Sequence, residues 1–160
     1  MKNIVCKNAY GEEFPVTDGE LEARIGVYAL IEQDDKILFT KQWGGYGIVG
    51  GGVDLSETLE GALVREVREE TGLRVTPGEL FYYTTTFYKK DANSQAYQSH
   101  QFYFTVKDVD GIIDQSDITA HEQSYTQGAP EWVNKADLEA LDFRHSVDLP
   151  TILDAYYNRT

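Results

Sequence analysis

Residues 51–73, GGVDLSETLEGALVREVREETGL, read as a glycine-rich turn followed by one helix whose far end carries Glu66, Glu69 and Glu70. Positions i, i+3 and i+4 share a helix face. At about 100° per residue Glu66 and Glu70 fall about 40° apart, with Glu69 within the next 60° or so. Leu59 and Leu63 have nearly the azimuth of Glu66 and Glu70, and Ala62 lies beside Glu69. One side of the helix is therefore apolar in its first half and acidic in its second. A merely solvated face would keep its charges opposite the leucines. Gly72 is a natural helix stop, which leaves Glu69 and Glu70 in the last turn. Carboxylates there oppose the helix dipole by roughly 0.3–1 kcal/mol each. A bound divalent cation offsets both this penalty and the mutual repulsion, and oxygen ligands suit Mg²⁺, Mn²⁺ or Ca²⁺ rather than zinc.

The rest of the composition bounds what such a site can serve. The chain has 160 residues, a net charge of −13, 41% hydrophobic and 12% aromatic residues. That is enough for one domain, expected to span residues 1–160, and it is not the composition of a disordered acidic chain. An acidic balance of this size argues against binding a nucleic-acid polymer or an anionic membrane through a basic surface. It leaves room for a small anionic substrate if a metal supplies positive charge, and for a homodimer. Cys6 is the only cysteine, so it reads as a small buried hydrophobe in a chain without internal disulfides. No run approaches the ~18 apolar residues of a membrane span, and MKNIVCKNAYG lacks the apolar centre of a signal peptide. A cytoplasmic setting is expected.

Along the chain, residues 1–22 alternate short apolar runs with turn formers and suggest an edge strand or hairpin. Residues 23–33, ARIGVYALIEQ, suit a buried central strand; Asp34-Asp35 makes a turn, and KILFTKQW is expected to return as its partner. A glycine-rich loop then runs from Gly44 to Gly52, without a GxGxxG or GxxxxGK[ST] phosphate signature. Asp54 or Ser56 is the expected cap of the helix. ELFYYTTTFYKK (79–90) and QAYQSHQFYFTVKDV (95–109) predict a long antiparallel hairpin. Residues 110–130 form a long loop of the functional kind. PEWVN reads as a short strand, ADLEAL as a short helix, and SVDLPTILDAYY as a closing helix with Pro150 near its start. The pattern suggests a mixed sheet packed between helical layers.

Gly51, Glu57 and the run Arg65-Glu66-Val67-Arg68-Glu69-Glu70-Thr71-Gly72-Leu73 stand at the spacing G-x5-E-x7-R-E-U-x-E-E-x-G-U, with U aliphatic. This resembles the Nudix box of the MutT-like Nudix hydrolases. Seven fixed identities at roughly one in fifteen each give a chance match on the order of 10⁻⁸ per window. The family's W-x-x-P-G-G lead-in is similar to Tyr46-Gly47-Ile48-Val49-Gly50-Gly51, with tyrosine for tryptophan and valine for proline. EWVNKADLEAL likewise resembles the family's late strand and helix.

The resemblance implies an α/β/α sandwich with a central mixed β-sheet, and a hydrolase cleaving a nucleoside diphosphate linked to another moiety. A non-catalytic nucleotide-binding module of the same fold is the alternative. By the same resemblance, Glu66, Glu69 and Glu70 would hold Mg²⁺ or Mn²⁺, one of them also serving as base, with the Gly50 carbonyl as a further ligand. Arg65 would orient the glutamates and Glu57 would brace the helix start. Gly51 and Gly72 would permit the loop and the helix exit. Glu122 is the candidate for an additional acidic ligand, with Asp114, Asp117 and Glu131 as alternatives. For the nucleotide, Arg24 and Lys41 are candidates for phosphate contact and Tyr88 for the pocket wall. Most other aromatics of the hairpin read as core. His100, His121 and His145 have no metal-ligand spacing.

Overall fold

The computed structural model describes residues 1–160 apart from 117, 124 and 125 and the side chains of 121 and 122. The chain opens with a hairpin, β1 (Asn3–Lys7) and β2 (Glu13–Thr17), then runs through β3 (Leu21–Leu30), β4 (Glu32–Gln33), β5 (Lys36–Gln42) and β6 (Gly45–Gly52). Helix α1 (Leu59–Thr71) follows, then β7 (Arg74–Lys89) and β8 (Ala96–Asp110). A short helix α2 (Ala120–Gln123), β9 (Glu131–Asn134), a 3₁₀ turn (Lys135–Ala140) and α3 (Leu149–Tyr157) complete it.

Among the described residues the strands form one mixed sheet in the order β2-β1-β7-β8-β3-β6-β5-β4, with β9 on β5. The β1–β7 and β3–β8 pairs are parallel and the others antiparallel. Alternation along each strand feeds two cores. On one face Leu63 and Val67 of α1 pack with Val27, Val49 and Phe104. On the other Ile152 of α3 packs with Leu30, Ile48 and Tyr103. Under the opening hairpin Cys6, Val16 and Ala96 make a third cluster, and burial pushes the Cys6 thiol pKa up. The result is the expected α/β/α sandwich.

Four local expectations are corrected. Strand β3 is buried only from Gly26 onward, and Arg24 of its exposed half lines a cavity described below. Its antiparallel neighbour is β6, and β5 returns only beside residues 32–33 at the end of the expected strand. The Asp34-Asp35 turn, with φ of 50° and 59°, instead joins β5 to the two-residue β4, a left-handed pair of turn residues that suits a tight hairpin. The glycine-rich segment is strand β6 rather than a loop, since pairing with β3 on one side and β5 on the other overrides glycine's poor strand propensity. Finally, α1 is capped by Thr58, whose Oγ1 accepts from the Gly61 N–H at 3.0 Å. Ser56 sits at φ 76°, a conformation a helix cannot use.

Candidate active site

The apolar half of α1 fixes where its acidic half points. Leu63 and Val67 are fully buried, so the same face, one turn on, meets the end of β6. Glu66 and Glu70 are only 7% and 4% exposed there. The Glu70 Oε2 accepts the Gly50 N–H at 2.9 Å. A Cβ on Gly51 would stand 2.5 Å from the Glu66 Oε2, so the absence of a side chain is what lets that carboxylate lie against the strand. Gly50, at φ 145°, could carry no side chain either, since a Cβ would run into the Val27 carbonyl. At the helix exit Gly72 is left-handed, and its N–H donates to the Arg68 carbonyl at 2.8 Å.

Arg65 gathers the carboxylates. Its Nε and Nη2 donate to the two oxygens of Glu57 at 2.8 and 2.7 Å, a bidentate pair. Its Nη1 donates to Glu66 Oε1 at 2.8 Å and to Glu69 Oε2 at 3.3 Å, and its Nη2 also reaches the Gly52 carbonyl at 2.9 Å. The guanidinium holds the Glu57 carboxyl down to about 2, and the Glu57 contact raises the arginine's own pKa. Glu57 also accepts the Asp54 N–H at 2.9 Å, so it braces the turn before the helix. Among the described residues no three acidic, thiol or imidazole groups are gathered closely enough to chelate an ion as they stand. Arg65 bridges Glu66 and Glu69, and an ion shared by all three glutamates requires side-chain rotation about that bridge.

Across the bare backbone of Gly50 and Gly51 lies a cavity of about 870 Å³. Residues 24 and 28 of β3, and 97, 99 and 101 of β8, line it, as the period-two alternation of strands requires. Tyr28 stacks on Tyr103 at 5.2 Å and meets His145 edge-on at 4.7 Å. The Tyr103 hydroxyl donates to Gln101 Oε1 at 2.7 Å and lies 2.6 Å from His145 Nε2, while Gln101 Nε2 donates to Ser146 Oγ at 2.6 Å. Burial lowers the His145 pKa to about 4, so the imidazole is neutral at pH 7. The floor of the cavity is thus a fixed polar network on an aromatic bed.

The pattern of a NUDIX domain matches residues 21–155. The chain belongs to the Nudix family. This Nudix chain is 29% identical over 128 residues to the nucleoside triphosphatase NudI of Enterobacter sp. (strain 638), covering 78% of this chain and 84% of that one. A shorter stretch of 58 residues is 43% identical to the ADP-ribose pyrophosphatase of Methanocaldococcus jannaschii, 33% of this chain and 34% of the relative. Among solved structures, the E. coli ORF135 protein aligns with a TM-score of 0.63 at 25% identity, covering 89% of this chain and 94% of the other. The MutT NUDIX hydrolase of Burkholderia pseudomallei shares the fold, with a TM-score of 0.59 at 22% identity over 86% and 99% of the two chains. Family and named relatives together support a Nudix hydrolase.

Of the residues predicted for the nucleotide, Arg24 and Tyr88 of this Nudix domain line the cavity. The Arg24 guanidinium lies 6.0 Å from the Tyr97 ring centre. Lys41 does not line it and is paired with Glu131 at 2.8 Å, which also engages one of the alternative acidic ligands. Asp114 donates its N–H to the Thr71 carbonyl at 2.8 Å, and its carboxylate accepts from Ser116. The Glu122 side chain and Asp117 lie outside the described residues. Of the aromatics, Phe81, Tyr82, Phe87, Tyr103 and Phe104 are core as expected, while Tyr83 is 70% exposed. Sequence reasoning did not single out Lys7, Tyr28, Trp43, Gln101, Arg144 or the cavity position of His145. Only the strand residues had a readable signal, since Tyr28 shares a face with Arg24.

Proposed function

We propose that this hydrolase cleaves a pyrophosphate bond in a nucleoside diphosphate linked to another moiety, a nucleoside triphosphate or nucleotide derivative, with Mg²⁺ or Mn²⁺. The observation that carries the reading is the pair Glu66 and Glu70, buried against a side-chain-free strand segment that also borders the 870 Å³ cavity. The residues fit a hard divalent ion in that the donors are all oxygen, and Gly51 leaves the space in which the Glu66 carboxylate lies. Glu66, Glu69, Glu70 and the Gly50 carbonyl would hold it, with Glu122 as a further ligand. When bound, such an ion supplies positive charge to the phosphoryl oxygens and acidifies water.

The chain's own residues do the rest. Arg65 orients Glu66 and Glu69, and Glu57 anchors Arg65. One of the glutamates takes the proton of the attacking water as its oxygen bonds to phosphorus. The phosphoanhydride P–O bond breaks, and the phosphorylated leaving group departs with its electron pair. Arg24 meets the diphosphate from the cavity side, and Tyr28 and Tyr88 offer aromatic faces to the nucleoside.

The test is a panel of nucleoside triphosphates (oxidised ones included), dinucleoside polyphosphates, ADP-ribose and nucleotide sugars, incubated with Mg²⁺ and followed by ³¹P NMR. At least one is expected to release a monophosphate or phosphorylated product. Glu70→Gln should lose that activity by about 100-fold or more while remaining folded. Tight binding of a panel member with no turnover would contradict the proposal.

A further inference from the structure

The described residues lining the cavity include four cations, Lys7, Arg24, Lys90 and Arg144, and no acidic side chain, although the chain as a whole carries a net charge of −13. Arg24 belongs to the glutamate end: a Cβ on Gly52 would lie 3.8 Å from its Nη2. The other three collect around the tip of the β1–β2 hairpin. Lys7 is the last residue of β1 and pairs with Tyr88. Asn8 donates to the Lys90 carbonyl at 3.2 Å. Tyr10 lies under the Arg144 guanidinium at 5.2 Å, and Trp43 lies under the Lys90 ammonium at 5.7 Å. In the sheet order β1 is separated from β6 by β7, β8 and β3. Four strand spacings place Lys7 about 19 Å along the sheet from the glycines of β6.

The hairpin that carries Lys7 lies outside the family match, which spans residues 21–155 and includes Lys90 and Arg144. The carboxylates that pair with Lys7 and Arg144 lie outside the cavity lining. Lys7 meets Glu13 at 3.3 Å with both side chains more than half exposed, a geometry that water screens. Arg144 is paired with Asp142, its Nη2 donating to Asp142 Oδ2 at 3.2 Å and its Nε standing 3.2 Å from Oδ1, but that exposed carboxylate is not part of the cavity lining. Two ammonium groups and a guanidinium around a concave lining without acidic side chains are suited to a phosphate group.

We propose that Lys7, Lys90 and Arg144 form a second anion subsite, which binds a phosphate carried on the substrate remote from the bond that is cleaved. The inference rests on the hydrolase reading of the same cavity and adds to it a preference for nucleotides that bear such an extra phosphate. The hairpin is then a specificity element that sets which far end the pocket accepts.

The test uses two matched pairs that differ by one remote phosphate, NADP⁺ against NAD⁺ and coenzyme A against dephospho-coenzyme A. Dissociation constants are measured by calorimetry on the full chain without added metal. The phosphorylated member of at least one pair is expected to bind about tenfold tighter or more. Lys7→Ser, at an exposed position, and Arg144→Gln should each shrink that preference severalfold, with affinity for the unphosphorylated member held within twofold. Equal affinities within both pairs in the wild type would overturn the subsite, as would variants that weaken both members alike. Preference without turnover of any nucleotide would leave the subsite standing and remove the hydrolase reading. Turnover without preference would do the reverse.

Discussion

Replacing Gly51 by alanine isolates the contact between strand and helix on which the site depends. Gly51 is not in the left-handed region, so the substitution carries no backbone penalty. Its new Cβ, however, would stand 2.5, 2.6 and 2.8 Å from the Oε2, Cδ and Oε1 of Glu66. Restoring an ordinary 3.4 Å separation displaces the carboxylate by about 0.9 Å, and misplacements on the order of 1 Å cost about 100-fold in rate. The displaced group also strains its 2.8 Å bond to Arg65, a charge-assisted contact worth about 1.5–3 kcal/mol. Stability should therefore fall by about 1–2 kcal/mol, since the carboxylate is the end of a flexible chain and can partly re-form its contacts. Gly52→Ala is the control, because its Cβ would point to the other face with Arg24 no nearer than 3.8 Å. Initial rates with Mg²⁺ on the best substrate, with urea midpoints in parallel, decide the matter. A Gly51→Ala enzyme within twofold of the wild-type rate would refute the reasoning, as would equal losses in both variants.

Arg65→Lys keeps the charge but loses the fork on Glu57 and the bridge to Glu66 and Glu69. Its kcat should drop about 10- to 100-fold, with a lower melting temperature by calorimetry. Glu57 contributes pH-dependent stability of the carboxylate kind. Its folded pKa of about 2 lies below the unfolded value near 4.3. Its contribution is complete above the unfolded value and is lost as pH falls through about 2, so Glu57→Gln should flatten the acid limb of a urea-midpoint profile. His145 is also held low, near 4, below an unfolded value near 6.5. Between those values the unfolded chain binds the proton first, so stability declines as pH falls from about 6.5 towards 4. His145→Gln should remove that slope, and the imidazole NMR shift of the wild type should titrate near 4.

The acidic helix and its surroundings were legible in the sequence because their signals are local. Leu63, Val67 and Gly72 fix the helix face and its exit within a few turns, and the β-branched and aromatic runs on either side of residues 91–94 fold back on each other as read. The start of α1 was misplaced because Ser56, a good cap by type, is held at φ 76° in the turn that Glu57 organises. Strand β6 was hidden by its own glycines, whose extended conformation comes from neighbours on both sides and not from propensity. The cavity was the least legible part. Its wall joins Lys7 to Tyr88 by parallel strand pairing and sets Arg144 over Tyr10 of the hairpin tip, contacts between distant segments that no periodicity reveals. Arg24 and Tyr88, candidates by residue type, do line the cavity.

The acidic patch of α1 is expected to hold a divalent cation. Titration of Mn²⁺ followed by the EPR signal of the free ion measures this directly in the wild type and in a Glu66→Gln, Glu70→Gln double variant whose fold is verified by circular dichroism. The wild type should take up at least one Mn²⁺ per chain, released competitively by Mg²⁺, and the double variant should bind at least tenfold more weakly. Equal Mn²⁺ uptake by the two proteins, or none by the wild type with nucleotide present, would contradict it.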